Sequence, residues 1–156
     1  MPGYGILPAD DGTGLLPWSW AEERLIASRN YWVATVWPDG RPHMMPVWGM
    51  WHEDEFWFSS SKPSRKARNL SANPRCVVTT EDANNPVVGE GTSRLITSPH
   101  ELALMLELEN AKYSTSYGID MLDPTLNASF RVRPLWAFGL QAGDFTGSPT
   151  RWEFEA

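Results

Sequence analysis

The sequence predicts an α+β fold: an antiparallel β-barrel, closed or nearly closed, with helices packed outside it. Runs rich in β-branched and aromatic residues follow one another across short turns, which is typical of strands paired antiparallel. Segments with apolar residues at helical spacing interrupt these runs. The 156 residues contain no internal repeat and suffice for one core, so a single domain is expected.

The first half of the chain predicts one helix and then three strands. In "WSWAEERLIASRN", Trp18, Ala21 and Leu25 recur at spacings of three and four, which predicts an amphipathic helix. The strands follow at residues 31–37, 42–51 and 56–60. Between them, "PDGR" and "HEDE" have the composition of turns. Pro42 and Pro46 lack amide donors, so the second strand is expected at a sheet edge or a bulge.

The middle of the chain predicts a second helix and two more strands. The helix is expected from Pro63, which suits a first turn, to about Ala72, where "NPR" stops it. The strands are "RCVVTTE" and "PVVGEGTSRLIT". In the second of these, Gly89 and Gly91 indicate a bulge or a close backbone approach.

The last third predicts a buried helix and terminal strands. Ser98 as N-cap, Pro99 at the first position and Glu101 three residues later form a capping box. The helix "ELALMLELENAKY" is apolar nearly all round, so it is expected to be buried or packed against a partner. A polar loop at 114–127 leads to "ASFRVRPLWAFGLQ", predicted as one or two strands broken at Pro134, and then to the short tail "TRWEF".

The composition of the chain limits where in the cell the protein is expected and what it is expected to bind. Residues 1–17, rich in Pro and Gly, are predicted to be a flexible arm ahead of a domain at 18–156. The arm has neither a basic flank nor a long apolar run, so neither a secretory signal nor a membrane anchor is expected. Cys76 is the only cysteine, which fits a cytoplasmic protein. The net charge of −6 argues against nucleic-acid and membrane partners and favours a small molecule.

Positive charge is nevertheless concentrated directly behind the third predicted strand. Lys62, Arg65, Lys66 and Arg68 fall within seven residues of the stretch "SSSKPSRKARNLSANPR". On a helical wheel, Arg65, Lys66 and Asn69 share one face that Lys62 can reach, while the alanine and leucine of the helix point towards the core.

Hydroxyl groups accompany this cationic cluster. Ser59, Ser60, Ser61 and Ser64 lie beside the start of the helix, where free backbone N–H groups carry partial positive charge. Cations, hydroxyls and a helix N-terminus together predict a phosphate site. The alternative is a solvated helix face that pairs with carboxylates elsewhere.

The nine tryptophans and the scattered histidines bear on other kinds of site. Some of the tryptophans are expected to line a pocket for a flat ligand or a subunit interface, and the alternative is that they fill the core. No metal site is predicted, because His43, His52 and His100 are scattered and one cysteine cannot build a thiolate site. Cys76 lies in an apolar strand pattern and is expected to be a core residue.

The ordered set of motifs resembles the FMN-binding split β-barrel family, which includes pyridoxamine 5′-phosphate oxidase-like proteins and deazaflavin-dependent reductases. The likeness is strongest over residues 31–97, from the "DGRP" turn through "PVW", the Ser-rich strand end and "NPR" to "VVGEGT". The tail "TRWEF" resembles the actinobacterial deazaflavin branch. The resemblance implies a Greek-key-like split barrel that forms a homodimer, with the cofactor in a groove shared by both subunits.

The resemblance also implies the cofactor-binding residues. The basic residues at the strand-to-helix junction would hold the cofactor phosphate, and the second predicted strand would run along the ring. The serines would lie near the linker between ring and phosphate. The residues implied for the phosphate are Lys62, Ser64, Arg65 and Lys66; for the ring, Met45, Pro46, Val47 and Trp48; for the linker, Ser59, Ser60 and Ser61.

The function implied is that of an oxidoreductase using coenzyme F420, which transfers a hydride between the deazaflavin and a small conjugated organic substrate. FMN-dependent chemistry and a non-catalytic flavin- or haem-binding role are the alternatives. The C-terminal stretch "QAGDFTGSPTRWEFEA" lacks the Arg-x-His pair of true pyridoxamine phosphate oxidases, so vitamin B6 oxidation is not expected. No catalytic residue is assigned: Tyr113, Tyr117, His43 and solvent all remain open as proton donors.

Overall fold

The computed structural model describes residues 3–11 and 14–155, and these form eight strands and three α-helices. The helices are α1 (Trp18–Ala27), α2 (Arg65–Ala72) and α3 (Pro99–Tyr113). The strands are β1 (Asn30–Val36), β2 (Pro42–Trp48), β3 (Met50–His52), β4 (Glu55–Ser61), β5 (Arg75–Thr80), β6 (Val87–Leu95), β7 (Asn127–Gly139) and β8 (Thr150–Glu153). Two short 3-10 helices lie at Ile119–Leu122 and Ala142–Asp144.

All eight strands join one antiparallel sheet in the order β2-β1-β5-β6-β7-β4-β3, with β8 also paired to β7. The long strand β7 pairs with β6 on one side, and with β4 and then β8 on the other. The sheet curls so that β2 also contacts β4. The predicted α+β class with an antiparallel, barrel-like sheet is confirmed. No helix within the described residues is long and apolar enough to cross a membrane.

Two groups of buried side chains form the core. The larger lies between the sheet and helices α1 and α2, where Ala21, Leu25, Ala67 and Leu70 face the strands as their spacing predicted. Cys76 belongs to this group, which confirms it as a core residue, and burial raises the pKa of its thiol to about 12. The smaller group lies under α3 and comprises Met50, Trp57, Ile96, Leu102, Met105 and Leu122.

Local sequence signals are confirmed at several places. Ser98 caps α3 by accepting a hydrogen bond from the Glu101 amide. The pairing of β6 with β7 shifts register between Glu90 and Gly91, which is the predicted bulge. Strand β2, which contains two prolines, lies at one end of the sheet, where missing amide donors cost little.

Three predicted boundaries were wrong. Residues 42–51 form two strands rather than one, because the chain bends at Gly49, where a Cβ would meet the Trp57 carbonyl oxygen at 2.7 Å. Helix α2 begins at Arg65 and not at Pro63, because Ser64 is its N-cap and accepts from the Ala67 amide at 3.3 Å. Strand β7 continues through Pro134, since that residue lies opposite the β6 bulge.

The described part of the predicted N-terminal arm lies against the C-terminal part of the domain. The Leu7 amide donates to the Thr146 carbonyl, and the Leu16 amide donates to Thr150 Oγ1 at 2.8 Å. Tyr4 and Phe145 meet edge to face, with their ring centroids 6.0 Å apart. The flexibility of residues 1–17 stays a prediction.

Candidate functional site

The fold forms an open cleft with a volume of about 570 Å³, where β2, β4, α2, α3 and the start of β7 meet. This volume falls within the range of small-molecule sites. The side chains that line it are Pro46, Val47, Trp48, Ser59, Ser60, Lys66, Glu109, Met121 and Asn127.

The cleft brings together six of the eleven residues predicted to bind a cofactor: Pro46, Val47, Trp48, Ser59, Ser60 and Lys66. The other five lie outside its lining: Met45, Ser61, Lys62, Ser64 and Arg65. The residues brought together belong to three different elements, β2, the end of β4 and the start of α2. The roles of all eleven stay predictions.

The polar end of the cleft is built at the junction between β4 and α2. Lys66 Nζ donates to Ser60 Oγ at 3.1 Å, and Ser60 Oγ lies 2.9 Å from Ser64 Oγ, the cap of α2. Ser59 Oγ accepts from Ser129 Oγ at 3.2 Å. Burial lowers the pKa of Lys66, because the charged amine loses solvation. An anion bound beside this amine would offset that loss and form charge-assisted hydrogen bonds.

The three residues of α2 expected to share an anion-binding face contact three different parts of the protein. Only Lys66 lines the cleft. The Arg65 guanidinium lies 3.5 Å above the centroid of the Trp37 ring, a cation–π contact that directs it elsewhere. Asn69 is buried and donates from Nδ2 to Thr35 Oγ1 at 3.0 Å, which attaches the helix to β1.

An aromatic wall is held in place at the bend between β2 and β3. The rings of Trp48 and Tyr113 stack with their centroids 4.3 Å apart and their planes at 5°. The Gly49 amide donates to the Tyr113 hydroxyl at 2.9 Å, and Lys112 Nζ donates to the Gly49 carbonyl at 2.7 Å. The end of α3 therefore fixes the backbone that carries Trp48, a residue that lines the cleft and remains 42% exposed.

Lys112 gives this wall a measurable pH signature. Burial lowers the pKa of Lys112 from 10.5 to about 8. Between these values the unfolded chain binds one proton more than the folded chain, so folding stability rises with pH. Because Lys112 is only half-buried, solvent screening reduces this effect, and relative to Lys112→Met the wild type is expected to gain about 1–2 kcal/mol between about pH 8 and about pH 10.

Urea unfolding of both proteins across this pH range measures the difference. Other groups titrate equally in the two proteins, so the subtraction isolates Lys112. Parallel stability curves would contradict the prediction. The loss of hydrogen bonds to the Gly49 carbonyl and the Tyr31 hydroxyl adds only an offset that does not depend on pH.

Three lining residues were missed by sequence reasoning: Glu109, Met121 and Asn127. Glu109 could have been found from the sequence. It continues the spacing of Leu102 and Met105 along the buried face of α3, which makes it an acid at a core position. Asn127 donates from Nδ2 to the Met121 carbonyl at 2.8 Å, which joins the 3-10 turn to β7. Nothing local in the loop indicated this contact.

The side chains considered as proton donors lie outside the cleft lining. The Tyr113 hydroxyl is engaged by the Arg29 carbonyl and the Gly49 amide, and burial raises its pKa. His43 Nδ1 lies 3.5 Å from Thr35 Oγ1. Tyr117 is on the surface. Among the residues that the structure describes, no group of three His, Cys, Asp or Glu side chains could hold a metal ion.

The described tryptophans divide between the core and the cleft lining, and their contact with a flat ligand or a partner subunit stays a prediction. Trp51 and Trp57 are buried in the core, while Trp48 lines the cleft. Trp18, Trp20 and Trp152 pack against the core from its margin. Their number therefore reflects both packing and a potential ligand surface.

Comparison with known proteins supports the resemblance inferred from the sequence. The family described as pyridoxamine 5′-phosphate oxidase matches residues 21–140. No curated protein matches the chain significantly.

Solved structures share the fold at low sequence identity. An F420 reductase is 23% identical, with a TM-score of 0.60 over 72% of this chain and 91% of that chain. A conserved hypothetical protein from Mycobacterium tuberculosis is 21% identical, with a TM-score of 0.68 over 86% of this chain and 85% of that one. HutZ, the haem storage protein from Vibrio cholerae, is 20% identical, with a TM-score of 0.59 over 74% and 85% of the two chains. At such identities the likeness shows the fold alone.

Proposed function

The chain belongs to the pyridoxamine 5′-phosphate oxidase family, and from this premise we propose that it is an oxidoreductase whose cleft binds coenzyme F420, with FMN as the alternative cofactor. One observation supports this proposal most strongly. A half-buried lysine beside serine hydroxyls and a tryptophan held by ring stacking occur in the same cleft. A planar ring with an anionic side chain has both properties that such a cleft would recognise.

The lining residues fit such a cofactor. Ser59, Ser60 and Lys66 would hold its phosphate, and the backbone of residues 46–48 would lie along its ring beside Trp48. When bound, the cofactor supplies the hydride chemistry, and the protein contributes binding, orientation and exclusion of water. The substrate class that we propose is a small conjugated organic molecule.

The choice of F420 over FMN follows the tail "TRWEF" and is supported by the fold shared with an F420 reductase. The acidic tail of F420 needs further cations at the mouth of a site. Arg41, directly before β2, and Arg68, on α2, are exposed cations on segments that contribute to the cleft. FMN carries only the phosphate and would need Lys66 alone.

We also propose that the protein is a homodimer, with the cofactor at the subunit interface. Large apolar side chains on the outer face of β1 and β2 support this: Trp32, Val36 and Met44 are exposed. Ala34 pairs with Met44 in the same register, so these residues form one surface. Sedimentation velocity measures the mass in solution, and a monomer at all concentrations would exclude the shared site.

Cofactor titration into the purified protein tests the function. Micromolar F420 is expected to quench tryptophan fluorescence, and Trp48→Leu should remove much of that quenching while leaving the fold intact. Quenching by FMN but not F420 would favour the alternative cofactor. Binding of haem instead, or of none of the three, would refute the proposal. Reduction of an enone or quinone by the loaded protein then tests turnover.

A further inference from the structure

Glu109 is the one acidic side chain in the lining of the cleft. Its side chain is only 4% exposed, and its Oε2 atom has no hydrogen-bond partner within the described part of the chain. A buried oxygen without a partner costs stability, and native proteins retain few of them. Its position on the cleft wall suggests that the missing partner is a bound molecule.

Helix α3 is held near both ends, so the backbone that carries Glu109 is fixed beside the cleft. Near the start of the helix, Glu101 accepts from Arg131 Nη1 of β7 at 2.9 Å. At its end, Lys112 and Tyr113 hydrogen-bond the Gly49 backbone. Glu109 lies between these two anchors, which hold the part of the helix that carries it against the cleft.

The buried position of Glu109 favours the uncharged form of its carboxyl. Burial raises its pKa, because the carboxylate loses solvation. Lys66 of α2 is the other titratable side chain of the lining, and its amine donates to Ser60 Oγ. Tyr113 lies one turn further along α3, and the charge of Glu109 contributes to raising its pKa. The lining residues from β2, β7 and the 3-10 turn do not titrate.

A protonated carboxyl has an O–H donor, which a carboxylate lacks. A buried carboxylic acid that keeps its proton can donate a hydrogen bond to a ligand. The cleft therefore offers two different polar contacts. Lys66 suits an anion, and Glu109 suits an uncharged acceptor such as a carbonyl oxygen or a ring nitrogen.

We propose that Glu109 is a ligand-binding residue whose carboxyl O–H donates a hydrogen bond to an uncharged acceptor on the ring of the molecule bound in the cleft. This contact selects planar ligands with a carbonyl or ring nitrogen at that edge and disfavours a negative substituent there. The inference rests on the proposed function, because it takes the ring of F420 or FMN as the occupant.

Two variants separate the hydrogen bond from the rest of the side chain. Glu109→Gln keeps a neutral donor of the same shape, whereas Glu109→Met keeps the length but removes the donor. At a pH below the raised pKa of Glu109, where its carboxyl is protonated, Glu109→Met is expected to weaken F420 or FMN binding about fivefold or more, and Glu109→Gln should remain within about threefold of wild type. Tryptophan fluorescence titration of the full-length protein measures each dissociation constant.

The pH dependence provides a second readout. Wild-type affinity should fall towards that of Glu109→Met as the pH rises through the raised pKa of the Glu109 carboxyl, because the carboxyl loses the proton that it donates. Glu109→Gln should not show this fall in affinity, because its amide does not titrate. Any pH dependence due to Lys66 is the same in wild type and Glu109→Gln. The melting temperature of Glu109→Met should equal or exceed that of wild type, since a buried oxygen without a partner is removed.

The outcomes distinguish this inference from the proposed function. If wild type binds a cofactor and Glu109→Met binds it equally tightly, the inference is refuted and the proposed function stands. Identical pH profiles for wild type and Glu109→Gln would refute it in the same way. If wild type binds neither F420 nor FMN, the proposed function fails, and the inference fails with it.

Discussion

Lys66→Ala is expected to weaken the binding of F420 or FMN about 10- to 100-fold, because a charge-assisted hydrogen bond to phosphate contributes about 1.5–3 kcal/mol. The melting temperature should change little. The Lys66 amine has lost part of its solvation and is hydrogen-bonded to one serine hydroxyl, so its removal relieves a cost as well as losing a contact. Fluorescence titration gives the dissociation constants and thermal unfolding gives the stability.

Lys62→Ala is the matched control for this prediction. It removes the same charge from the same segment, but Lys62 is exposed and lies outside the cleft lining. Its link to the fold is a backbone hydrogen bond to the Leu126 carbonyl, which alanine retains. Equal loss of affinity in both variants would indicate a diffuse electrostatic effect. A large loss of stability in Lys66→Ala with unchanged affinity would make Lys66 structural.

Gly91→Ala is expected to destabilise the protein by about 3 kcal/mol or more, the upper part of the range for overpacking. A Cβ at this position would lie 2.1 Å from the Arg133 carbonyl oxygen and 2.9 Å from Pro134 Cα. Both neighbours are backbone atoms of β7, so relief requires the two strands to separate. Strand β7 also pairs with β4, which means that the polar end of the cleft would be disturbed as well. Urea unfolding measures the loss.

Gly143→Ala controls for the loss of glycine itself. No atom lies within 4 Å of a Cβ built at Gly143, so its stability should stay within about 0.5 kcal/mol of wild type. If Gly91→Ala lost equally little stability, the prediction that β6 and β7 lie too close at the bulge to admit a Cβ would be wrong.

The sequence predicted the elements whose causes are local. The Ser98 capping box, the glycine bulge of β6, the edge position of the proline-containing β2 and the amphipathic spacing of α1 all follow from a few neighbouring residues. The boundaries that it missed depend on distant partners. Pro134 is tolerated within β7 because it lies opposite the bulge at Gly91, more than forty residues earlier.

The candidate site was predicted only in part, for the same reason. A helical wheel places Arg65, Lys66 and Asn69 on one face but does not say what each will meet. In the folded chain, Arg65 lies over the Trp37 ring and Asn69 hydrogen-bonds Thr35. Only Lys66 lines the cleft. Glu109 was visible as an acid at a core position of an apolar helix, yet its proximity to β2 and β4 was not.

The sequence by itself determined the α+β class, the order of the elements, the family and the cationic strand-to-helix junction, because these follow from spacing, turn chemistry and capping within short segments. Tertiary structure decided which side chains share the cleft. Residues as distant as Trp48, Lys66 and Glu109 line one cleft because β7 pairs with β4 and α3 is hydrogen-bonded to the Gly49 bend. Such long-range contacts depend on the packing of the whole chain, which no short segment encodes.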